Sequence, residues 1–318
     1  MAVKQVEITS RGKRLQVPAA EVEGRTVIVT GKSVKIASIR DAIVAQGELV
    51  KNPDTFIPAL KASGLRADVL TFFQRPPDVT PRFAHHHERD NYAAVDCENF
   101  DAWWEKLPQE ARKNTRRSAK RGVTVRLVPF DDALAREIHK LCDESPMRQG
   151  KPFWHYGKDF ETVKREHATY LERSDFIGAY FENQLIGFIK MVYVDRIAFI
   201  FHILAYNAHY DKRPLNALIT EAVKVCSQKG VKYFVYDKYV YGNKKDSTLV
   251  EFKRRNGFEQ IDFPTYHIPL TLKGKVYVSL RLYRGAVGLL PAPALNLALK
   301  LRDKFYRAKE KPVEAKED

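Results

Sequence analysis

At 318 residues with a 44% hydrophobic share, the chain has the length and composition of one large or two modest globular domains with a sizeable core. A formal net charge of +15 implies an anionic partner, whether nucleic acid, a phosphorylated substrate or an acidic membrane surface, without choosing among them. Cys97, Cys142 and Cys226 are too few and too widely spaced for a disulfide framework or a CxxC metal site, and residues 1–10 lack a signal-peptide core, so the expectation is a cytoplasmic protein with three small buried thiols.

Alternation over residues 5–36, with a Thr30-Gly31-Lys32 turn, predicts short strands. Residues 39–48 read as a helix. Residues 53–63 read as another, closed by Gly64. A strand at 68–73 leads into the proline-rich connector 75–81. His85, His86 and His87 follow; neighbours on a regular element point apart, so no metal site is expected. A strand at 91–95 and a helical segment at 100–107, with Trp103 and Trp104, complete this part. No long-period repeat is visible.

Residues 111–121 read ARKNTRRSAKR, and Gly122 ends the helix they form. Arg112, Arg116 and Lys120 are spaced four apart, as are Lys113, Arg117 and Arg121, giving two adjacent basic stripes. Six cations without an acid point to an anion, the plain alternative being a solvated face. A strand at 123–128 and a helix at 131–142, capped by Asp131 or Asp132, come next. The loop 143–158 is long and rich in polar and aromatic groups, the profile of a functional loop. Its Arg148, Gln149, Lys151 and Lys158 are candidates for an anionic substrate, and His155 and Tyr156 for proton exchange. Residues 159–173 read as a helix.

The most informative stretch is 176–230. Three apolar runs, 176–181, 185–194 and 197–206, are separated by Glu182-Asn183-Gln184 and Asp195-Arg196 and predict an antiparallel meander. His202, in the third run, reads as a core histidine. After the polar loop 207–213, Pro214 opens a helix over 215–228 with Gly230 past its end, and a strand follows at 231–237. Residues 233–241 alternate aromatics with Asp237 and Lys238. A helix at 248–255 stops at Asn256-Gly257, and strands are expected at 258–261 and 266–270. Pro293 precedes a helix at 294–307 with an apolar face and a basic end. That helix reads either as packed on the core or as lying, with 281–307, in the interface of an anionic membrane. The apolar stretch 285–299, broken by Pro291 and Pro293, is too short to span a bilayer. Residues 309–318 have the composition of a disordered tail.

The order of hairpins, strand, loop, helix and strand resembles the Gcn5-related N-acetyltransferase fold. ARKNTRRSAKRGV, the meander and STLVEFKRRNGFEQI together resemble the Fem-type aminoacyltransferases and related FemAB-like acyltransferases over about half the chain, residues 109–270. The resemblance implies an α+β class: a mixed, mainly antiparallel sheet flanked by helices, in a tandem of two such domains with the first reduced. The divisions expected are 1–108, 109–275 and 276–318. It implies an acyltransferase that moves an acyl or aminoacyl group from an activated donor to an amine or hydroxyl of an anionic, cell-envelope or lipid-linked acceptor. No tightly bound cofactor is implied; acyl-CoA, another acyl thioester or an aminoacyl donor serves as co-substrate. The donor loop of the fold falls at 210–216, where no glycine occurs and Pro214 removes an amide, so Lys212, Arg213 and Asn216 become the donor-binding candidates. Candidates for the proton are His155, Tyr156, Asp237 and Tyr241; for the substrate, Arg112, Arg116, Lys120, Arg148, Gln149 and Lys158. The alternative is a non-catalytic nucleic-acid- or polyanion-binding protein that uses the 111–121 helix.

Overall fold

The computed structural model describes residues 3–10, 13–148, 151–241 and 247–285. Gln149, the 243–246 part of the polar loop and the helix expected at 294–307 lie outside the described residues. The elements in chain order are β1 (Lys4–Ser10), β2 (Lys13–Val22), β3 (Arg25–Thr30), β4 (Ile36–Ile39), α1 (Pro53–Ala62), β5 (Val69–Phe73), β6 (His87–Asp96), α2 (Phe100–Lys106), α3 (Gln109–Lys120) and β7 (Thr124–Val128). They continue with α4 (Asp132–Cys142), β8 (Met147–Arg148), β9 (Lys151–Pro152), α5 (Phe160–His167), β10 (Ser174–Phe181), β11 (Gln184–Val194), β12 (Ile197–Ala205), α6 (Pro214–Gln228), β13 (Tyr233–Val235), α7 (Thr248–Arg255), β14 (Glu259–Pro269) and α8 (Leu272–Ser279).

Twelve strands form one sheet in the order β1-β2-β3-β4-β5-β14-β6-β13-β12-β11-β10-β7, and β8 and β9 make a separate short ribbon. Among the described strands only β4–β5 and β12–β13 are parallel neighbours. The class is therefore α+β with a mainly antiparallel sheet, as the meander predicted. One core fills the space between α6 and the β10–β12 meander, with Leu218, Ala222, Ile189 and Met191 fully buried. Another lies under α1, around Phe56, Leu60, Val27 and Leu70.

Helix ends follow their sequence signals. Asn52, Asn99, Asp131, Asp159, Ser247 and Thr271 each accept a first-turn amide with their side chains. Gly257 shows how a C-terminal glycine works here: Phe258 N donates to Lys253 O at 3.0 Å and Gly257 N to Arg254 O at 3.2 Å. Its φ of +75° excludes most side chains, and a Cβ would stand 2.8 Å from Leu107 Cδ1 and 2.9 Å from Trp103 Nε1.

Three expectations need correction. Residues 39–48 are not a helix. Asp41 takes a φ of +52°, and the buried guanidinium of Arg75 draws the segment's carbonyls outward, with Nη2 donating to Ala42 O at 3.0 Å and Ala45 O at 2.7 Å. Arg25 Nη2 donates to Gln46 O and Glu48 O. A helix would have used some of these carbonyls itself. The helix expected at 159–173 stops at His167, because Lys190 from β11 takes the carbonyls of His167 (2.8 Å) and Thr169 (2.5 Å). The strands expected at 258–261 and 266–270 are one strand. Pro264 lies within it opposite Arg89, its carbonyl accepts from Gln74 N at 2.9 Å, and the ladder to β5 begins only at Thr265.

Candidate active site

The sheet opens between β12 and β13. These parallel strands pair only over Ile197–Phe199 and Tyr233–Val235. Beyond that point the chain after β13 stays with β6: Tyr236 N donates to Ala93 O and Ala93 N to Asp237 O, both at 2.8 Å. Asn91 and Val240 also bond to each other, and Lys238 Nζ reaches Asp90 at 2.7 Å. β12 instead continues to Ala205 without this neighbour, and residues Ile200 to Leu204 are half-buried where the first three are buried. The two parallel strands thus separate into a groove. One wall is the end of β12; the other is the segment from Tyr236 to Tyr241.

A bulge in β12 shapes the first wall. Its register against β11 shifts between Ile200, opposite Met191, and His202, opposite Lys190, so Phe201 is the extra residue. Ile200 and Ile203 pack toward α6. His202 turns to the other face, toward α4 and α5, where it meets two more histidines. Its ring lies 4.2 Å from that of His167 and 5.5 Å from that of His155, centroid to centroid. Burial pushes His155 down to about 3 and His167 to about 4, and holds His202 well below the usual imidazole range. All three are therefore neutral at pH 7. His167 Nδ1 donates to Val163 O at 2.9 Å, which leaves Nε2 as the acceptor.

The loop 143–158 is fastened to the same end of β12. Arg148 Nη1 donates to Ala205 O at 3.1 Å and Nη2 to Glu144 at 2.8 Å, while Ala208 N donates to the other Glu144 oxygen at 3.3 Å. Lys158 Nζ bonds Glu166 at 2.6 Å and 2.8 Å and sits 4.2 Å from the Trp154 ring. His155 is buried under Trp154, and Tyr156 is exposed. The loop brings His155 and Lys158 to the same carboxylate, Glu166, while Arg148 lies on Glu144 and the Phe153 ring and Tyr156 is outside them.

At the far end of the groove is the N-terminus of α6. Asn207–Lys212 form a 3-10 helix, and Arg213 turns the chain with φ +58° into Pro214, the first helical residue. Among the described residues no side chain caps this terminus, the amides of Leu215 and Asn216 lack intrahelical partners, and the dipole makes the spot attractive to an anion. Lys212 lies over the Phe181 ring at 4.7 Å and beside Asp211. The Asn216 amide donates to Asn256 Oδ1 at 2.8 Å, clamping α6 to the end of α7. Arg213 has no side-chain partner among the described residues.

The second wall carries Asp237, which accepts from Tyr241 OH at 2.7 Å; burial and that carboxylate push the phenol up. Beneath it lies Lys253 of α7, fully buried, donating to Lys238 O at 2.5 Å and facing the rings of Tyr236 (4.7 Å) and Tyr241 (5.0 Å). Burial lowers its ammonium to about 8. Sequence reasoning assigned no role to Lys253, His167 or His202. The FK pair of the 248–260 segment was the only signal for the lysine. The histidines are separated in sequence and meet only through the bulge.

The basic helix α3 packs on α6 through Ala111, Ser118 and Thr115, whose hydroxyl lies 3.0 Å from that of Thr220. Much of its charge is engaged. Arg112 donates to Glu105 at 3.1 Å, Arg116 sits 5.8 Å from the Trp104 ring, and Arg121 reaches Asp211 of the loop before α6. Lys113, Arg117 and Lys120 are exposed. A cavity of about 380 Å³, bordered by Phe72, Arg75, Ile197 and Tyr233, lies at the other end of β12 and β13. Arg75 at its edge is already paired with Asp195 at 3.0 Å. The residues around the groove include no described cluster of His, Cys, Asp and Glu able to hold a metal.

No family model matches the sequence, and no curated protein does. Solved structures do match. FemX superposes with a TM-score of 0.59 at 10% identity, over 87% of this chain and 90% of that one. The L-PGS of Bacillus licheniformis gives 0.54 at 14%, over 86% and 89%. A C-terminal domain assigned to a lysylphosphatidylglycerol synthetase of Agrobacterium fabrum gives 0.52 at 13%, over 86% and 90%. The chain has the acetyltransferase-like, FemAB-like fold.

Proposed function

We propose that the protein is an acyltransferase whose donor lies in the groove between β12 and β13, with its anionic part at the N-terminus of α6. The observation that carries this reading is the separation of the two strands beyond Phe199 and Val235, ending at an uncapped helix N-terminus. The donor's acyl carbonyl then sits between the end of β12 and the Tyr236–Tyr241 wall. Lys253, buried behind that wall with its Nζ on Lys238 O and against the Tyr236 and Tyr241 rings, is the group that holds the wall in place.

The acceptor enters from the α4–α5 side, over Arg148, His155, Lys158 and His202. Its amine or hydroxyl attacks the carbonyl carbon and forms the new C–N or C–O bond. The donor's thiolate or alkoxide leaves with the bonding pair and takes up the proton that the acceptor loses. Neutral imidazoles held down by burial, His155 to about 3 and His202 well below the usual range, are weak bases. His155 and His202 therefore suit orienting the acceptor by accepting its hydrogen bond better than removing its proton outright. Asp237, with Tyr241 bonded to it, is the carboxylate on the opposite wall.

The finer reading is aminoacyl or acyl transfer to an anionic cell-envelope or lipid-linked acceptor. It is supported by two neighbours, FemX and a lysylphosphatidylglycerol synthetase, the second named for an aminoacylated anionic lipid. Lys120, exposed on α3, suits such an acceptor, whereas Arg148 and Lys158 are already paired with Glu144 and Glu166; Arg213 suits the phosphate of a donor. The C-terminal part, 109–275, would carry the reaction, and 1–108 would be the reduced first lobe.

The test is a binding and turnover panel of acyl-CoA, acyl carrier protein and aminoacyl-tRNA. A competent donor should protect the protein against thermal unfolding and transfer its acyl group to an added amine. Arg213→Glu should abolish that protection. Failure of all three donor classes to bind, or protection that survives Arg213→Glu, would remove the donor from this groove.

A further inference from the structure

We infer that the outward face of α8 is a lipid-contact surface that lays this side of the molecule on an anionic membrane. This helix is apolar on two opposite sides. One side is in use. Gly274 and Val278 are buried against the end of β14 and β5, and a Cβ on Gly274 would stand 1.9 Å from Asp68 O. Thr271 accepts Gly274 N at 3.1 Å and donates to Asp68 Oδ1 at 2.8 Å, so the helix cannot rotate about its axis. With the inner face fixed in this way, Leu272, Val276 and Leu280 fall on the opposite side at successive i, i+4 positions. They are 79%, 59% and 60% exposed, and Leu282 continues the patch.

The chemistry around this stripe selects the occupant. Lys275 borders it on one side and is exposed; Lys273, on the other side, is exposed with its Nζ on Ser33 O, and Arg281 follows, 4.0 Å from Glu88. The sequence has no Asp or Glu between Asp262 and Asp303. The nearest acids, Asp68 and Glu88, are each already bonded, to Thr271 and to Arg284, so an apolar stripe bordered by cations fits an interface of acyl chains beneath anionic head groups. A second copy of the chain fits less well, because a two-fold contact would set the same lysines against one another. No described helix is long and apolar enough to cross a membrane, so the contact is peripheral. It does not depend on the acyl-transfer reading.

The test is co-sedimentation of the full chain with vesicles of phosphatidylcholine containing phosphatidylglycerol, and with phosphatidylcholine alone. The protein should bind the anionic vesicles, bind the neutral ones weakly, and be released by added salt. Leu272→Gln, Val276→Gln and Leu280→Gln together should lower anionic-vesicle binding by roughly tenfold or more, with the melting temperature unchanged. Lys275→Glu alone should weaken it less, and Leu127→Gln on β7, also an exposed leucine, should leave it unchanged. The inference is overturned if the wild type does not bind anionic vesicles. It is overturned if the triple variant binds as the wild type does, which would place the contact elsewhere, including residues 286–307. It is also overturned if the stripe proves to hold a dimer, seen as a mass in solution that the triple variant halves without any lipid effect.

Discussion

Arg148 donates from Nη1 to the main-chain carbonyl of Ala205, the last residue of β12, at 3.1 Å. This bond ties the 143–158 loop to the strand that forms one wall of the groove. Both Arg148 and its partner Glu144 are largely buried. Arg148→Gln removes the cation and leaves a buried carboxylate uncompensated, a change that costs about 3 kcal/mol. Urea unfolding should register the loss. Limited proteolysis should show earlier cleavage within 143–158, because the loop loses its attachment.

Lys253 gives the sharpest test of the proposed chemistry. Lys253→Met keeps the shape of the side chain and removes its charge. Turnover should fall several-fold, because the Tyr236–Tyr241 wall loses the Nζ bond to Lys238 O that holds it. Stability should hold or rise, because a buried charge has been replaced by an apolar chain. In the wild type the ammonium is lowered to about 8, so the charged form is lost as pH rises through that value. The rate attributable to it should decline above pH 8 in a pH–rate profile, and the methionine variant should lack that limb.

The histidine cluster predicts acid sensitivity. His155 and His167 are lowered to about 3 and about 4 in the folded protein, against about 6.5 for an unperturbed imidazole in the unfolded chain. Between these values the unfolded chain binds protons that the folded chain does not. Stability is therefore fully present above about pH 6.5 and is lost as pH falls toward 4. His267, also lowered to about 4 by burial, adds to the same slope. Denaturant midpoints measured across this window should fall steeply, and His167→Leu should reduce the slope by about one proton.

Gly257 should not tolerate even alanine. A Cβ there meets Leu107 and Trp103 within 2.9 Å at a left-handed backbone position. The strain and the contact together predict about 3 kcal/mol of destabilisation. Chemical unfolding followed by tryptophan fluorescence reports it directly, since Trp103 is the residue displaced. Gly230→Ala has nothing within 4 Å of the new Cβ and should lose only the backbone part, about 1 kcal/mol.

What the sequence determined by itself was local. The polar breaks at Glu182-Asn183-Gln184 and Asp195-Arg196 set the meander, because those residues accept the positive φ that tight turns need: Glu182, Asn183 and Asp195 all adopt it. Pro214, Gly122, Gly230 and Gly257 set helix ends through constraints that act within a few residues. Long-range pairing was not legible. Nothing in the local pattern of residues 259–269 announces that they lie between β5 and β6, almost two hundred residues away in the chain. The same limit explains the helix wrongly expected at 39–48, where the deciding group is the guanidinium of Arg75, some thirty residues later. It also explains the site. Loop 143–158 could be picked out by composition, and its His155 and Lys158 both meet Glu166. His202 read as a core histidine because apolar neighbours surround it in sequence. Only the bulge at Phe201 and the departure of the chain toward β6 after Val235 place its ring beside His155 and His167 at the edge of an open groove. Tertiary structure decided this because a one-residue change of register sends a side chain to the opposite face of a sheet, and a sequence alone does not show where that change falls.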